Sequence, residues 1–380
     1  MRICILATMH YPDDMRVFHK EAKSLVAGHH EVAYVCASDS PVPDNIDGVR
    51  LYRIPIARSL LRRCVAMIRL MAIGFRIPAD VYLPVEVESW MAALILKLLT
   101  RRKVVFDVHE YFPDAYAKHF PGFLRPFNIR LIRFLMRIMS RFTDRLILTK
   151  ECLRPDFEGL GVPQWVVLNT NRKQPPCSDI PQSLRDRYEG RPTVIHQGIF
   201  GDARGSYQLL DAMKLVSKEI PDVKCICLGA YKYGDERAFL RALRDSGMDR
   251  YIEMLPVVPF RDVPAHIAVS RVGLILFQPI GLEHTFGMPH KMFDYMREGI
   301  PVIAPEFAIE IKRVIEEAEC GLLIDVTDPK AIADAITFLL KNPDESKRLG
   351  ANGRKIVETK YNWEAEEKKL LEVFASLEQG

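Results

Sequence analysis

A lysine and an aspartate lie close together in the segment GMPHKMFDYMREGIPVIA (residues 287–304). Pro289 suits the first position of a helix, because the N–H group that proline lacks would be unpaired there. The free N–H groups and the dipole at a helix N-terminus favour an anion. Lys291 adds a full positive charge in that first turn. Because the helix N-terminus is itself positive, a cation there destabilises the helix unless an anion binds nearby. The segment therefore predicts a site for an anionic group such as phosphate.

Asp294 follows Lys291 by about one turn, on the same face of the predicted helix. A carboxylate near bound phosphates would be repelled unless it faced hydroxyl groups, such as those of a ribose. The pair thus suits recognition of a sugar joined to phosphate. Spacing alone leaves an alternative open, in which Lys291 and Asp294 form an ion pair on a solvated helix face.

A second group of candidate residues follows strand-like apolar runs in the first half of the chain. Asp13, Asp14 and Arg16 follow the run at residues 3–7. His109 and Glu110 follow the run at residues 104–108. Residues that follow the strands of a parallel sheet lie at its ligand-binding edge. An imidazole there can donate a hydrogen bond or accept a proton, although a histidine after a strand can also be purely structural.

Strand-like and helix-like patterns alternate along the chain, which predicts parallel sheets covered by helices on both faces. The strand-like runs are residues 3–7, 31–36, 49–54, 81–85, 104–108, 145–148 and 165–168, then 193–196, 224–228, 251–255, 272–277, 301–304 and 321–324. The helical patterns include residues 16–27, 89–99, 329–340, 344–359 and 362–377. Between the two sets of strands, residues 169–179 are polar with two prolines, which predicts an interdomain connection. We therefore expect two α/β domains whose strand ends surround one cleft.

The composition fits a soluble globular enzyme and argues against other classes. Of 380 residues, 48% are hydrophobic and 27% are charged. No apolar run reaches the ~18–20 residues that cross a bilayer, and the first residues are typical of a strand and its loop rather than of a signal peptide. The eight cysteines form no CxxC pair. This predicts neither a metal site nor a disulfide and fits a reducing cytoplasm.

The basic residues concentrate in the first domain, although the net charge of the chain is only +4. No acidic residue occurs between Ala115 and Thr143. Within that stretch one helical stripe carries four arginines: Arg130, Arg133, Arg137 and Arg141. A basic amphipathic helix with aromatic residues is typical of a surface that binds anionic membranes. An ordinary solvated helix face remains the alternative, and nucleic acid is a weaker one because no reader motif accompanies the charge.

Several segments together resemble the retaining glycosyltransferases of the GT-B fold, family 4. Residues 289–305, PHKMFDYMREGIPVIAP, resemble the donor-site motif of that family. Four further segments also resemble parts of that family. They are its first loop and helix (residues 11–35), its acceptor-side motif (104–114), the end of its first domain (144–172) and the glycine-rich turn of its second domain (196–213). The likeness runs along nearly the whole chain. It implies Rossmann-like domains at residues 1–170 plus 362–380 and at residues 180–361, with the C-terminal helix crossing back to the first.

The resemblance also implies a role for each candidate residue. It places Gly198, Gly201, Arg204 and Lys291 at the donor diphosphate, Asp294 at the donor ribose, His109 at the reaction centre, and Asp13, Asp14, Arg16 and Glu110 on the acceptor side. Arg204 stands where the family has a lysine, so the charge is kept. Two positions depart from the family pattern. Phe286 replaces a glutamate of the family, and nearby Glu283 is the candidate that could take over its place at the catalytic centre. Ile199 replaces an arginine of the family.

The implied reaction transfers a sugar from a UDP- or GDP-sugar, with retention of anomeric configuration, to a glycan or lipid-linked acceptor. Cations and helix amides would stabilise the leaving diphosphate, so we expect neither a metal nor another cofactor. We expect a cytoplasmic protein attached to the inner face of the cell membrane. Two alternatives stay open: a nucleotide-sugar 2-epimerase of the same fold, and a degenerate member that binds a nucleotide sugar or a partner without turnover.

Overall fold

The structure is a computed structural model that describes residues 1–57, 59–109, 112, 116 and 124–378. The chain forms two compact units. The first contains Met1–Asn169 and Trp363–Gly380, and the second contains Thr170–Asn362. Each unit has its own sheet and its own apolar core.

The first unit is built on a sheet of eight strands in the order β3-β4-β2-β1-β5-β6-β7-β8. In chain order these are β1 (Arg2–Leu6), β2 (Glu31–Ala37), β3 (Asn45–Ile46), β4 (Val49–Ile54), β5 (Val81–Pro84), β6 (Lys103–Val108), β7 (Arg145–Leu148) and β8 (Gln164–Val166). All neighbours pair in parallel except β3 and β4. The short β3 is an edge strand that the sequence pattern did not predict, because two residues carry no detectable alternation.

The first unit also contains six described α-helices. They are α1 (Lys23–Ala27), α2 (Leu60–Arg76), α3 (Val87–Thr100), α4 (Arg125–Ser140), α5 (Arg154–Phe157) and α15 (Trp363–Glu378). A π-helical segment, Val17–Ala22, leads into α1, where the apolar pattern predicted one regular helix. The C-terminal helix α15 belongs to the core of this unit, since Trp363 and Phe374 are fully buried there and the Trp363 indole Nε1 donates to Ser24 Oγ at 2.9 Å.

The second unit has a parallel sheet of six strands in the order β11-β10-β9-β12-β13-β14. The strands are β9 (Thr193–Gln197), β10 (Lys224–Leu228), β11 (Ile252–Leu255), β12 (Val272–Leu274), β13 (Val302–Pro305) and β14 (Gly321–Ile324). Strand β9 lies between β10 and β12, so the strand order reverses at the carboxyl end of β9. Such a reversal point opens a crevice in which α/β sheets bind ligands.

The described helices of the second unit cover both faces of its sheet. They are α6 (Gln182–Tyr188), α7 (Ser206–Glu219), α8 (Glu236–Asp245), α9 (Val263–Ala268), α10 (Leu282–Thr285), α11 (His290–Arg297), α12 (Ile309–Ala318), α13 (Pro329–Lys341) and α14 (Pro343–Thr359). Helix α11 starts one residue later than predicted. Pro289 has an extended ψ of 140° and precedes the helix as its N-cap residue, so Lys291 is the second helical residue.

Among the described residues, none of the helices combines the length and the apolar character that crossing a membrane requires.

Candidate active site

A glycine-rich turn leaves the carboxyl end of β9 at the reversal point of the second sheet. Gly198, Gly201 and Gly205 adopt positive φ angles of 88°, 144° and 76°. At Gly201 a Cβ atom would lie 1.9 Å from the carbonyl oxygen of Lys232, so only glycine fits. At Gly198 a Cβ atom would lie 3.8 Å from Lys291 Cε, which places the turn directly against that side chain. The turn thus brings bare backbone beside a cation.

Arg204 ends the short helical turn Asp202–Arg204 that follows Gly201. Its guanidinium carbon stacks 4.2 Å from the centre of the Phe277 ring, and the side chain is only 15% exposed. Nη2 lies 4.0 Å from Glu283 Oε1. Burial lowers the pKa of Arg204, and Glu283 partly offsets that effect. A planar guanidinium held flat on an aromatic ring is pre-organised to bind phosphate oxygens through two N–H groups.

Lys291 is the second cation at this turn, and it is 9% exposed. Its Nζ lies 3.3 Å from His196 Nε2 and 5.9 Å from the centre of the Phe277 ring. Burial, together with the nearby Arg204 charge, lowers the pKa of Lys291 to about 7. Burial and Lys291 also hold the pKa of His196 well below its usual value, so His196 is neutral and accepts from Lys291. A buried lysine whose pKa is lowered by burial and by a neighbouring arginine is suited to bind an anion.

Asp294 lies one turn further along α11 and is 1% exposed. Its Oδ1 accepts from Asn171 Nδ2 at 2.8 Å, and its Oδ2 accepts from Gln197 Nε2 at 3.0 Å. Both Lys291 and Asp294 are therefore buried, which excludes the solvated helix face that their spacing also allowed. Asp294 joins α11 to the end of β9 and to the interdomain connection. Its role toward a ribose stays a prediction.

Sequence reasoning missed several residues that shape this site. His196 and Gln197 end β9, Phe277 follows β12, and the Tyr295 hydroxyl accepts from the Gln197 backbone N–H at 2.9 Å. The sequence contains one indication of where the Tyr295 ring packs, namely a glycine inside strand β12, Gly273. At Gly273 a Cβ atom would lie 2.3 Å from the Tyr295 ring, so the ring occupies the space of the missing side chain.

Glu283 and Phe286 bound the site on the side of α10. The Glu283 side chain is 64% exposed and faces Arg204 at 4.0 Å. Phe286 caps the end of α10, where its N–H donates to the Leu282 carbonyl at 2.8 Å. The neighbouring His284 stacks on Phe277 with ring centres 5.1 Å apart. Glu283 is thus the acidic group beside Arg204, while its catalytic role stays a prediction.

In the first unit, His109 follows β6 as expected and is bound by a carboxylate. Its Nε2 makes a short hydrogen bond with Asp107 Oδ2, and the His10 ring meets it edge-on with centres 5.0 Å apart. Burial opposes ionisation of Asp107, but Arg16 and His109 outweigh it and hold the Asp107 pKa below its usual range. With Nε2 engaged, Nδ1 is the other ring nitrogen, and the catalytic role of His109 stays a prediction.

The other first-domain candidates occupy different environments. Arg16 is buried, with Nε 3.0 Å from Asp107 Oδ2 and 2.9 Å from Glu21 Oε1, so it holds the core together. Asp14 is half-buried, lies 2.8 Å from His10 Nδ1 and accepts from two backbone N–H groups, whereas Asp13 is exposed. Glu110 lies outside the described residues.

Among the residues that the structure describes, one cluster of two carboxyl groups and an imidazole has the spacing of a metal site. The ligand atoms of Glu21, Asp107 and His109 lie within 4.8 Å of one another. The Arg16 guanidinium already supplies the compensating positive charge between the two carboxylates. Burial and Asp107 raise the pKa of Glu21 well above its usual value. That the protein needs no metal ion stays a prediction.

Comparison with known proteins covers both units. A family model described as "Glycosyl transferase 4-like domain" matches residues 16–170, and one described as "Glycosyl transferases group 1" matches residues 191–342. The spore coat protein SA of Bacillus subtilis is 26% identical over 49% of this chain, and the phosphatidyl-myo-inositol mannosyltransferase of Mycobacterium leprae is 27% identical over 68% of it. The chain spans 49% and 63% of the lengths of these relatives.

Solved structures match the fold over the entire chain. The sucrose-phosphate synthase of Thermosynechococcus elongatus superimposes with a TM-score of 0.76 at 16% identity, covering 100% of this chain and 99% of that one. The HepE protein of Anabaena, solved in complex with UDP and glucose, has a TM-score of 0.73 at 16% identity, covering 99% and 100%. The two parallel-sheet units and the family models agree, and the chain belongs to the family 4-like glycosyltransferases of the GT-B fold.

Proposed function

We propose that the protein is a retaining glycosyltransferase that uses a nucleoside-diphosphate sugar. The observation that supports this proposal is a pair of cations, the partly buried Arg204 and the buried Lys291, beside a turn of glycine backbone at the reversal point of a parallel sheet. Burial lowers the pKa of both side chains, and the Arg204 charge also lowers that of Lys291, so the free site is electrostatically unfavourable. A diphosphate relieves that cost by supplying two negative groups.

The same cations suit the chemical step. As the bond between sugar and diphosphate breaks, negative charge develops on the leaving phosphate oxygens. Preformed positive groups in a largely buried site stabilise that charge without reorganising, which lowers the barrier. Arg204 and Lys291 would then perform the charge stabilisation that other enzymes assign to a metal ion, so we propose a reaction without a required metal.

His109 is the proposed contact with the transferred sugar. Its Nε2 is bound to Asp107, which orients the ring and leaves Nδ1 as the substrate-facing nitrogen. Nδ1 then serves as a hydrogen-bond acceptor toward a sugar or acceptor hydroxyl. Since the leaving phosphate can take the acceptor proton on the same face, no covalent nucleophile is required at Phe286.

The donor is proposed to be a UDP- or GDP-sugar. Relatives from Mycolicibacterium smegmatis and Mycobacterium tuberculosis carry "GDP-mannose-dependent" in their names, and the Anabaena neighbour was solved with UDP. These names support the nucleotide class and leave the base and the sugar of this chain to experiment.

A lipid-linked or glycan acceptor at a membrane surface is proposed from helix α4. Arg130 is exposed on it and Arg141 directly after it, and seven large apolar side chains at or near it are exposed as well: Leu124, Phe127, Leu131, Phe134, Leu135, Ile138 and Phe142. An exposed apolar face with arginines around it has the composition of an interfacial helix. An ordinary solvated helix would instead expose polar residues.

A panel of donor sugars tests the proposed function. We expect one of UDP-glucose, UDP-N-acetylglucosamine, GDP-mannose or ADP-glucose to raise the thermal unfolding midpoint. We then expect its slow hydrolysis or transfer, with the anomeric configuration of the product retained when followed by NMR. Lys291→Met should weaken both effects, because it keeps the shape of the side chain and removes its charge. Inversion at the anomeric carbon, or no response to any nucleotide sugar, would refute the assignment.

A further inference from the structure

A small pocket of the second unit is lined by an excess of basic side chains. It lies among α11, α14 and the segment that follows the unit boundary at Thr170, and its basic lining residues are Arg172, Lys173, Arg297 and Arg354. Glu358 is the single carboxylate among the described lining residues. Like charges that converge on one pocket repel one another unless an anion lies between them.

Arg297 carries the most direct sign of a missing partner. Its side chain is 8% exposed, its Nε donates to Glu298 Oε1 at 2.9 Å, and its Nη1 donates to Gln174 Oε1 at 3.3 Å. Its Nη2 is buried and finds no hydrogen-bond acceptor among the described residues. Buried polar groups are nearly always paired, and an unpaired one next to a charge is costly. An acceptor supplied from solution would remove that cost.

The size of the pocket limits what that acceptor can be. The cavity holds about 30 Å³, whereas one water needs roughly 10–15 Å³ on the same measure. The pocket therefore has room for a group of a few atoms. Arg354 is half-exposed and pairs with Glu358 through Nε at 2.9 Å, which leaves its two other guanidinium nitrogens for the pocket. Planar guanidinium groups match the geometry of phosphate oxygens.

We propose that this pocket, here called the linker pocket, binds a small oxyanion of the phosphate type. The ligand is either free inorganic phosphate or the phosphate group of a small monoester. Arg297 and Arg354 bind its oxygens, and the exposed Arg172 and Lys173 attract it. The site is distinct from the proposed donor site, because neither Arg204 nor Lys291 lines it.

The linker pocket is connected to the donor-site helix through short contacts. Asn171 lines the pocket and donates to Asp294 Oδ1 at 2.8 Å, and Arg297 Nη1 lies 3.6 Å from the same oxygen. An anion that draws Arg297 toward the pocket would change the field at Asp294. Any resulting change in donor affinity must be matched by an equal change in anion affinity when donor is present.

Calorimetric titration with inorganic phosphate in chloride buffer tests the proposal. The full chain carries Arg204→Gln and Lys291→Met as a common background, so that phosphate cannot report on the donor site. We expect saturable binding in this background, about tenfold weaker binding after Arg354→Gln, and a smaller loss after Lys173→Gln. Because Lys173 is exposed, its variant stays informative even if Arg354→Gln destabilises the fold. Arg261→Gln, an exposed arginine elsewhere in the unit, is the matched control.

A parallel titration with glycerol 3-phosphate identifies the source of the anion. Binding of the monoester alone means that the phosphate arrives as part of a metabolite, and binding of both means that free phosphate suffices. The linker pocket is refuted if neither ligand binds saturably, or if Arg354→Gln and Lys173→Gln bind as tightly as their background. Neither result bears on the donor site, which the background has already disabled.

Discussion

At the scale of single residues, Lys291 is the group whose environment says most about function. The sequence placed a cation in the first turn of a helix, and the structure adds that this cation is buried beside Arg204 and a neutral His196. Burial lowers the pKa of Lys291 to about 7, far below its usual value. Near neutral pH the free protein is therefore a mixture of charged and neutral Lys291.

Nucleotide binding should consequently take up a proton. A diphosphate next to Lys291 favours the charged form, so the Lys291 pKa rises on binding. At about pH 8.5, where Lys291 is mostly neutral in the free protein and the diphosphate is fully ionised, we expect an uptake approaching one proton per bound nucleotide. Calorimetry in buffers of different ionisation enthalpy measures this number. The Lys291→Met variant should show no uptake, and equal uptake in both proteins would place the titrating group elsewhere.

Folding stability should depend on pH through the same residue. The Lys291 pKa is lower in the folded state, so between about pH 7 and pH 10.5 the unfolded chain binds more protons. The Lys291 contribution to the free energy of unfolding therefore rises with pH across this window. We expect the stability of the wild type relative to Lys291→Met, measured by urea unfolding, to increase from pH 7 to pH 9. A constant difference would contradict the depressed pKa.

At the scale of elements, the glycine turn after β9 sets the geometry of the site. Gly201 has a φ of 144° and leaves no room for a side chain against the Lys232 carbonyl. The turn positions both Arg204 and the start of α7. The sequence indicated the importance of these glycines, but the backbone angle and the carbonyl that excludes a Cβ atom are visible only in the structure.

Gly201→Ala should therefore disturb binding through the backbone. We expect a loss of about 1–3 kcal/mol in the free energy of unfolding, because a Cβ atom would strain the turn. We also expect at least tenfold weaker nucleotide binding. Gly190→Ala is the matched control, since Gly190 also has a positive φ, of 79°, but has open space around it. Equal effects of the two substitutions would mean that positive φ alone, rather than the contact with Lys232, matters.

Helix α4 is the element proposed to contact the membrane. Arg133 makes an ion pair with Asp156, and Arg137 donates to the Asp156 carbonyl at 3.3 Å, so both stabilise the packing of α4 against α5. Arg130 and Arg141 are exposed and lie outside this contact. Substitution of the second pair thus tests the surface without disturbing the fold.

Reversal of these two charges should weaken attachment to anionic membranes. Each basic residue near an anionic leaflet contributes about 1 kcal/mol, so Arg130→Glu with Arg141→Glu should reduce binding to phosphatidylglycerol vesicles by at least tenfold in a sedimentation assay. The control is Arg237→Glu with Arg241→Glu, which makes the same change of charge on α8 of the second unit. Persistent binding of the α4 variant, or an equal loss in the control, would contradict the membrane proposal.

At the scale of the whole molecule, the sequence predicted the architecture better than the contacts. Alternating patterns predicted the strands of both sheets except the short β3, and the motifs predicted the family to which the chain belongs. The contacts that the pattern could not reveal join residues far apart in sequence. Asn171 bonds Asp294, and Arg16 bonds Asp107, across 123 and 91 positions. Local periodicity carries no information on such pairs, so it could not predict the ion pair in which Arg16 is buried. The acceptor-side role of Arg16 stays a prediction.

The central claim is that Arg204 and Lys291 bind the diphosphate of the donor. Calorimetric titration of wild type and Arg204→Gln with a nucleoside diphosphate and with the matching nucleoside tests it most directly. We predict that the variant binds the diphosphate more weakly by about 1.5–3 kcal/mol, the range of a charged hydrogen bond, while its affinity for the nucleoside is unchanged. An unaltered diphosphate affinity, or an equal loss for the nucleoside, would contradict the claim.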